Sequence, residues 1–359
     1  HLTIDSWIQH LLERELAATV RRTRARSAAA VLLDPNTGAI LAMASLPTFD
    51  PNHFNRSPRD TWRNRAVMDA FEPGSTFKMV TAAAALEDNL VDPTDVFDCE
   101  HGSVVVQGVR IHDHKSFGDL TFREIIAKSS NVGAMRVGMT VGSERLHRMI
   151  TAFGFGRRTG IQLPWEEKGL VKPVESWSGR TCATISFGQE VSVTPLQLCR
   201  AVAAIAADGQ LRVPRLVIRI QDREGRQVRR FKPEIERRAI SQPTAARLRE
   251  MMAGVVEFGT GGNAASEHYQ TAGKTGTAQM IVDGRYSDSR FVASFAGFAP
   301  YHRPRIAVVA VFSEVRRPYY HGGQVAAPVF REVVDGALRR LAVPSGLDEV
   351  LVAGVRRTP

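Results

Sequence analysis

The chain has 359 residues, 43% of them hydrophobic and 23% charged, ordinary proportions for a protein that packs a core. That length is too great for one compact core and points to one large bilobal domain or to two domains. The formal net charge is +10, yet the basic residues form no block interleaved with aromatics, which argues against nucleic acid as a partner.

Taken in order, Ile8, Leu11, Leu12, Leu16 and Val20 recur at helical spacing and predict an amphipathic helix over residues 5–20. Residues 28–33 and 39–45 read as two strands joined by the turn Asp34-Pro35-Asn36-Thr37-Gly38. Residues 47–70, with Pro47, Pro51 and Pro58, read as irregular. From residue 75 to about 256 the pattern is mostly helical, with helices expected over 121–128, 143–153, 194–209 and 242–256. Residues 211–231 alternate and predict a small exposed hairpin. Beyond Gly259-Thr260-Gly261-Gly262 the period changes to two, giving strands over 269–280, 290–299 and 305–312, then a last helix over 326–341. Strands at both ends of the chain with helices between them predict an α+β fold. Its central antiparallel sheet of about five strands is flanked by helices and carries an inserted, mostly helical lobe. The sheet lobe is expected from residues 1–74 and 265–341, the helical lobe from 75–264, and a tail from 342–359.

Three short motifs carry chemistry. In Phe71-Glu72-Pro73-Gly74-Ser75-Thr76-Phe77-Lys78, the turn residues Pro73 and Gly74 deliver the chain into an apolar, Ala-rich run through Leu86. Ser75 and Lys78, three apart, share one face of that helix's first turn. Burial disfavours the ammonium form, so Lys78 can be neutral and take the proton of Ser75, an activated nucleophile without a histidine. Alone, a Ser-x-x-Lys match is expected about once by chance in such a chain, and an N-cap serine before a solvated lysine is the plainer reading. Ser129-Ser130-Asn131 follows a helix; Ser129 can relay a proton and Asn131 can hold an amide, although the triplet by itself is ordinary loop composition. Lys274-Thr275-Gly276-Thr277 lies on the first late strand. Its glycine marks a close approach, and two hydroxyls with an ammonium form a receptor for a carboxylate. Only 7 of the 47 basic residues are lysine, and Lys78, Lys128 and Lys274 fall inside or beside these motifs. Arginine cannot give up its proton, so this usage favours a chemical role for some of the lysines.

In this order the three motifs are the set found in β-lactamases and penicillin-binding proteins. The sequence resembles the transpeptidase domain of class B penicillin-binding proteins over most of its length. The resemblance is carried by Asp34-Pro35-Asn36-Thr37-Gly38, by the Ser75 and Ser129 motifs and by Phe187-Gly188-Gln189-Glu190-Val191. It extends through Thr194-Pro195-Leu196-Gln197-Leu198 and Gly259-Thr260-Gly261 to Gly322-Gly323-Gln324-Val325-Ala326-Ala327-Pro328-Val329-Phe330. The 189–193 run and the Gly322 segment look more like the division-type enzymes than the elongation type. The resemblance implies a peptidoglycan D,D-transpeptidase that cross-links stem peptides through an acyl-enzyme on Ser75 and is inhibited by β-lactams. Lys78 would be the base, Ser129 the proton relay, and Asn131 the binder of the donor's amide. Lys274 would keep the site positive, and Thr275, Gly276 and Thr277 would line the substrate strand. It implies no metal or organic cofactor. The partners it implies are a membrane-embedded glycan polymerase and division proteins, at the extracytoplasmic face of the inner membrane. No apolar run approaches a bilayer span and no signal peptide is recognisable; the chain opens at His1, so a fragment with its anchor upstream is expected.

Two other functions share these motifs. A serine β-lactamase needs a glutamate that positions water; Glu166-Glu167 sits in a loop, but no asparagine follows to help. A β-lactam-sensing or scaffold domain keeps the pocket without turnover. Cys99, His101, His112 and His114 are candidate zinc ligands whose spacing matches no common finger; two short strands around Gly108 explain that stretch more simply. Three cysteines, an odd number, fit no disulfide framework.

Overall fold

A computed structural model describes residues 1–345; the tail read over 342–359 lies outside the described residues from 346 onward. The chain starts with α1 (Ser6–Thr23), capped by Asp5, whose carboxylate accepts from the N–H groups of Trp7 and Ile8. Then come β1 (Ser27–Leu33) and β2 (Ile40–Leu46), and at the far end of the chain β3 (Ala272–Val282), β4 (Arg285–Ala299) and β5 (Ile306–Val315). All five form one antiparallel sheet in the order β3-β4-β5-β1-β2, with Val31 opposite Val309 and Met43, and Lys274 opposite Ala296. The sheet expected from the two ends of the chain is therefore present, and its central pairing joins residues almost 300 apart in sequence.

Both faces of this sheet are buried, which explains why β1 reads as a continuous apolar run rather than an alternating one. Ala29, Val31 and Leu33 pack into the cluster shared with the helical part, and Ala28, Ala30 and Leu32 pack into a second cluster. That second cluster is roofed by α1 and by the last helix, α8 (Gly322–Arg340). On the other face lie α2 (Lys78–Glu87), α3 (Phe122–Lys128), α4 (Asn131–Val141), α5 (Ser143–Ala152), α6 (Pro195–Ala206) and α7 (Gln242–Glu257). The outer strand β2 is closed along its free edge: the Asp5 N–H donates to Leu41 O, the Ile40 N–H donates to Arg215 O, and the Gln9 amide exchanges two 2.8 Å bonds with the backbone of Met43.

The structure departs from several local expectations. α6 stops at Ala206, short of residue 209, because Asp208 and Gly209 take left-handed φ angles of 53° and 85°. α8 starts four residues before the predicted 326, since Gly322-Gly323-Gln324 carries no apolar period to betray a helix. The exposed hairpin pairs Arg219–Gln221 with Gln227–Arg230, whereas Gln210–Arg212 pairs instead with Ile235–Arg238. Residues 47–70 hold two 3-10 segments and the single-turn helix Arg65–Met68. Periodicity gives no sign of α4, whose start lies within the Ser129-Ser130-Asn131 motif.

Candidate active site

The nucleophile motif sits on a 3-10 turn, Gly74–Phe77, and the regular helix α2 begins only at Lys78. The reason is local. Pro73 is followed by Gly74 at φ +52°, which turns the chain too sharply for an α-helical start. A 3-10 turn has three residues per turn, which sets Ser75 one turn before Lys78; the Lys78 N–H donates to Ser75 O, while the hydrogen bonds of the Lys78 amine go to Ser129 and Asn131. The turn is fastened to residues 188–193. Phe71 and Val193 exchange backbone hydrogen bonds, and the Gly74 N–H donates to Gly188 O at 3.1 Å. Only glycine fits at 188, because a Cβ there would lie 2.2 Å from Gly74 O. α2 is buried from Lys78 to Leu86, so the amine at its start has no route to bulk water along the helix.

Lys78 reaches the second motif. Its Nζ lies 2.6 Å from Ser129 O, 2.8 Å from Asn131 Oδ1 and 3.2 Å from Ser129 Oγ. Ser129 is the left-handed cap of α3, at φ +63°, and Ser130 caps α4 by accepting from the Gly133 N–H. A neutral amine has two N–H donors; two carbonyl acceptors use both and leave its lone pair free for a proton. The Asn131 amide is fixed by donating its Nδ2–H to His112 O, which turns Oδ1 toward Lys78.

The third motif closes the groove. Lys274 on β3 places Nζ 2.8 Å from Ser129 Oγ, so the Ser129 hydroxyl is shared by two lysines 196 residues apart in sequence. Gly276 marks a crowded crossing: a Cβ there would meet Ser294 Oγ on β4 first, then Thr76 Cγ2 at 2.8 Å and Pro73 O at 3.0 Å in the nucleophile turn. Thr275 and Thr277 both face the start of α8. The Thr275 hydroxyl bonds to that of Thr260 at 2.6 Å, and Thr277 Oγ1 accepts the Gly322 N–H at 3.0 Å.

Both lysines are fully buried, and burial is the first cause that depresses the affinity of each for a proton. Lys78 is pushed down to about 7, against the pull of Asp113 and Cys99, which favour its charged form. Lys274 is held well below the ordinary lysine value, by burial and then by the charge of Lys78.

Three residues to which sequence analysis assigns no role complete the geometry. The Asp113 carboxylate accepts from the Asn131 N–H, from the Val132 N–H at 3.2 Å and from Ser130 Oγ at 2.7 Å, and so caps α4 from a distant loop. Thr260 holds Thr275, and Glu72 ties the nucleophile turn to Glu190. No spacing rule exposes these residues, because each contact is made by chain segments that meet only on folding. Glu166 is buried and accepts from the Thr159 and Gly160 N–H groups; Glu167 accepts from those of Lys168 and Gly169, so both carboxylates bind their own loop. Among the described residues no three His, Cys, Asp or Glu side chains are grouped to hold a metal ion, the set around Cys99 and His112 included. A cleft of about 790 Å³ lies against Phe71, Glu72, Gln279, Met280 and Ile281, and none of Lys78, Ser129 and Lys274 lines it.

Comparison with known proteins agrees with this geometry. Residues 28–335 match the penicillin binding protein transpeptidase domain. Stage V sporulation protein D of Bacillus subtilis is 36% identical over 346 residues, which are 95% of this chain and 54% of that protein. The peptidoglycan D,D-transpeptidase FtsI of Escherichia coli is 36% identical over 344 residues, 95% of this chain and 56% of that one. The chain thus spans about half the length of these curated relatives. Among solved structures, the TP domain of Burkholderia pseudomallei penicillin-binding protein 3 superposes with a TM-score of 0.84 at 35% identity, covering 96% of this chain and 97% of that one. Penicillin-binding protein 3 of Mycobacterium tuberculosis, complexed with aztreonam, gives 0.89 at 36% identity, covering 96% and 80%. The five-stranded sheet, the three converging motifs and these matches lead to one assignment: the chain belongs to the penicillin-binding protein transpeptidase domain family.

Proposed function

We propose that this chain is the catalytic domain of a division-type peptidoglycan D,D-transpeptidase, with residues 1–341 acting as one unit around the shared sheet. The observation that carries the reading is the Ser129 hydroxyl lying within hydrogen-bond distance of both Lys78 and Lys274. Neutral Lys78 takes the Ser75 proton as Oγ bonds to the penultimate D-alanine carbonyl carbon of the donor. The backbone N–H groups of Ser75 and Thr277 face the developing oxyanion. As the C–N bond breaks, the proton passes from Lys78 through Ser129 to the leaving D-alanine amine. An amine of a second strand then attacks the ester and gives its proton to Lys78, which passes it to Ser75 Oγ as the ester C–O bond breaks. The new amide is the cross-link and Ser75 is freed. The donor carboxylate lies against Thr275, Thr277 and Lys274, and its negative charge favours the ammonium form of Lys274. Asn131 holds the donor amide.

The names of relatives support the division assignment, FtsI and the sporulation protein in particular, and a neighbouring structure carries a bound β-lactam. No helix among the described residues is long and apolar enough to cross a membrane. The proposed setting is the outer face of the cytoplasmic membrane, beside a glycan polymerase and division proteins. Mass spectrometry after penicillin treatment tests the proposal. A one-to-one adduct on the Ser75 peptide is expected, with at most slow release; no adduct, or an adduct elsewhere, rejects it. Rapid nitrocefin turnover would instead mark a β-lactamase.

A further inference from the structure

Glu72 is a carboxylate beside the nucleophile turn that the acyl-transfer scheme leaves without a part. Its Oε1 accepts the Glu190 N–H at 2.9 Å and the Tyr286 hydroxyl at 3.3 Å. Its Oε2 is buried and has no hydrogen-bond partner. Glu190 is itself held, at φ +59°, by its carboxylate accepting from Thr184 Oγ1 at 2.7 Å and Thr181 Oγ1 at 3.1 Å, with the Arg180 guanidinium 3.9 Å away. Burial disfavours the Glu72 anion, and the nearby Glu190 adds to this; the bonds from Glu190 and Tyr286 work the other way. An apolar residue would avoid the desolvation altogether. The carboxylate is therefore poor packing and useful only as an acceptor.

Its location gives that acceptor a purpose. Backbone bonds fasten the turn at Phe71 and at Gly74, and the Glu72 side chain is the rung between them. Tyr286 belongs to the outer end of the β3–β4 hairpin, opposite Ile281 on the strand that carries Lys274. Glu72 also lines the cleft, together with Phe71, Gln279 and Ile281. We propose that Glu72 is a positioning residue for acylation: it fixes the turn that presents Ser75 by joining it to residue 190 and to the end of the β3–β4 hairpin. The proposal rests on the reading of Ser75 as nucleophile.

The test compares Glu72→Ala, Glu72→Gln and Tyr286→Phe with the unaltered chain. Fluorescent penicillin is used over a range of concentrations, so that the rate of the acylation step and the affinity of the initial non-covalent complex are obtained separately. Thermal melting is followed alongside. Glu72→Ala is expected to slow the acylation step by about tenfold or more, the loss of one hydrogen bond to a charged group, with non-covalent affinity unchanged. Glu72→Gln keeps an acceptor oxygen and is expected to retain acylation within about threefold. Tyr286→Phe is expected to fall between them. Full-rate acylation by Glu72→Ala overturns the proposal, and so does equal slowing in the alanine and glutamine variants. If Glu72→Ala does not fold, Tyr286→Phe decides: an unchanged acylation step overturns the link to the hairpin. Failure of the unaltered chain to take label on Ser75 is a separate outcome, which rejects the nucleophile assignment and the proposal with it.

Discussion

The turn before α2 and the turn before α4 both pass through a left-handed residue, Gly74 at φ +52° and Ser129 at φ +63°. Glycine adopts this conformation freely, while serine does so at a cost of roughly 1–2 kcal/mol. The cost is accepted at 129 because the residue works with both ends: its carbonyl takes the Lys78 amine, and its hydroxyl lies between Lys78 and Lys274. The turns also differ in how they are held. Backbone bonds to residues 188–193 secure the first, and the Asp113 carboxylate secures the second. The nucleophile turn is thus held mainly by main-chain bonds, with the Glu72 side chain between them, whereas the turn of the proton relay depends more on side chains, those of Asp113 and Ser130.

Substitutions can separate the two. The largest effect is expected from Lys78→Arg, which keeps a cation but cannot accept a proton; acylation by labelled penicillin should fall by about 10²–10⁴-fold. A near-normal rate would refute Lys78 as the base. Next comes Asp113→Ala, which strips the cap from α4. Acylation should fall roughly tenfold to a hundredfold, and urea unfolding should report a loss of about 1–3 kcal/mol; an unaffected rate would mean the second turn holds without its carboxylate. The two left-handed positions should then respond in opposite senses. Gly74→Ala puts a Cβ 3.1 Å from Ala278 Cβ and 3.2 Å from Thr277 O at an unfavourable φ, and should lose about 1–2 kcal/mol of stability. Ser129→Gly should hold or gain stability while acylation slows. If both changes destabilise alike, the contrast between the turns is wrong.

The smallest effect is in pH dependence. Acylation needs neutral Lys78, so its rate should rise with pH through about 7. The Asp113 charge favours the ammonium form of Lys78. Removing that charge in Asp113→Asn should make the amine neutral at lower pH and move the rising limb of the profile down, by less than about one unit. A limb that stays in place or moves up would contradict the stated influence of Asp113.

Much of this site is legible in local sequence. Ser75 with Lys78, and Ser129 with Asn131, are fixed by spacing within one turn, and Lys274 with Thr275 and Thr277 by position on one strand. Long apolar runs at the two ends of the chain are enough to foresee the sheet. What escapes depends on contacts between distant segments. Asp113 acts on residues 17 to 19 positions later, and Thr260 meets Thr275 only because the segment after α7 folds back. The start of α8 is hidden because Gly322 and Gly323 have no side chain to show a period. They are glycines so that the helix can touch the strand: a Cβ at 322 would lie 2.3 Å from Gly276 O.

The closure of β2 by Asp5, Gln9 and Arg215 leaves the sheet asymmetric. A Gln side chain there imitates one residue of a neighbouring strand, so a further chain finds no unpaired backbone to join at Met43. Growth of the sheet by addition of another strand is confined to the β3 margin, next to Lys274 and Gly276.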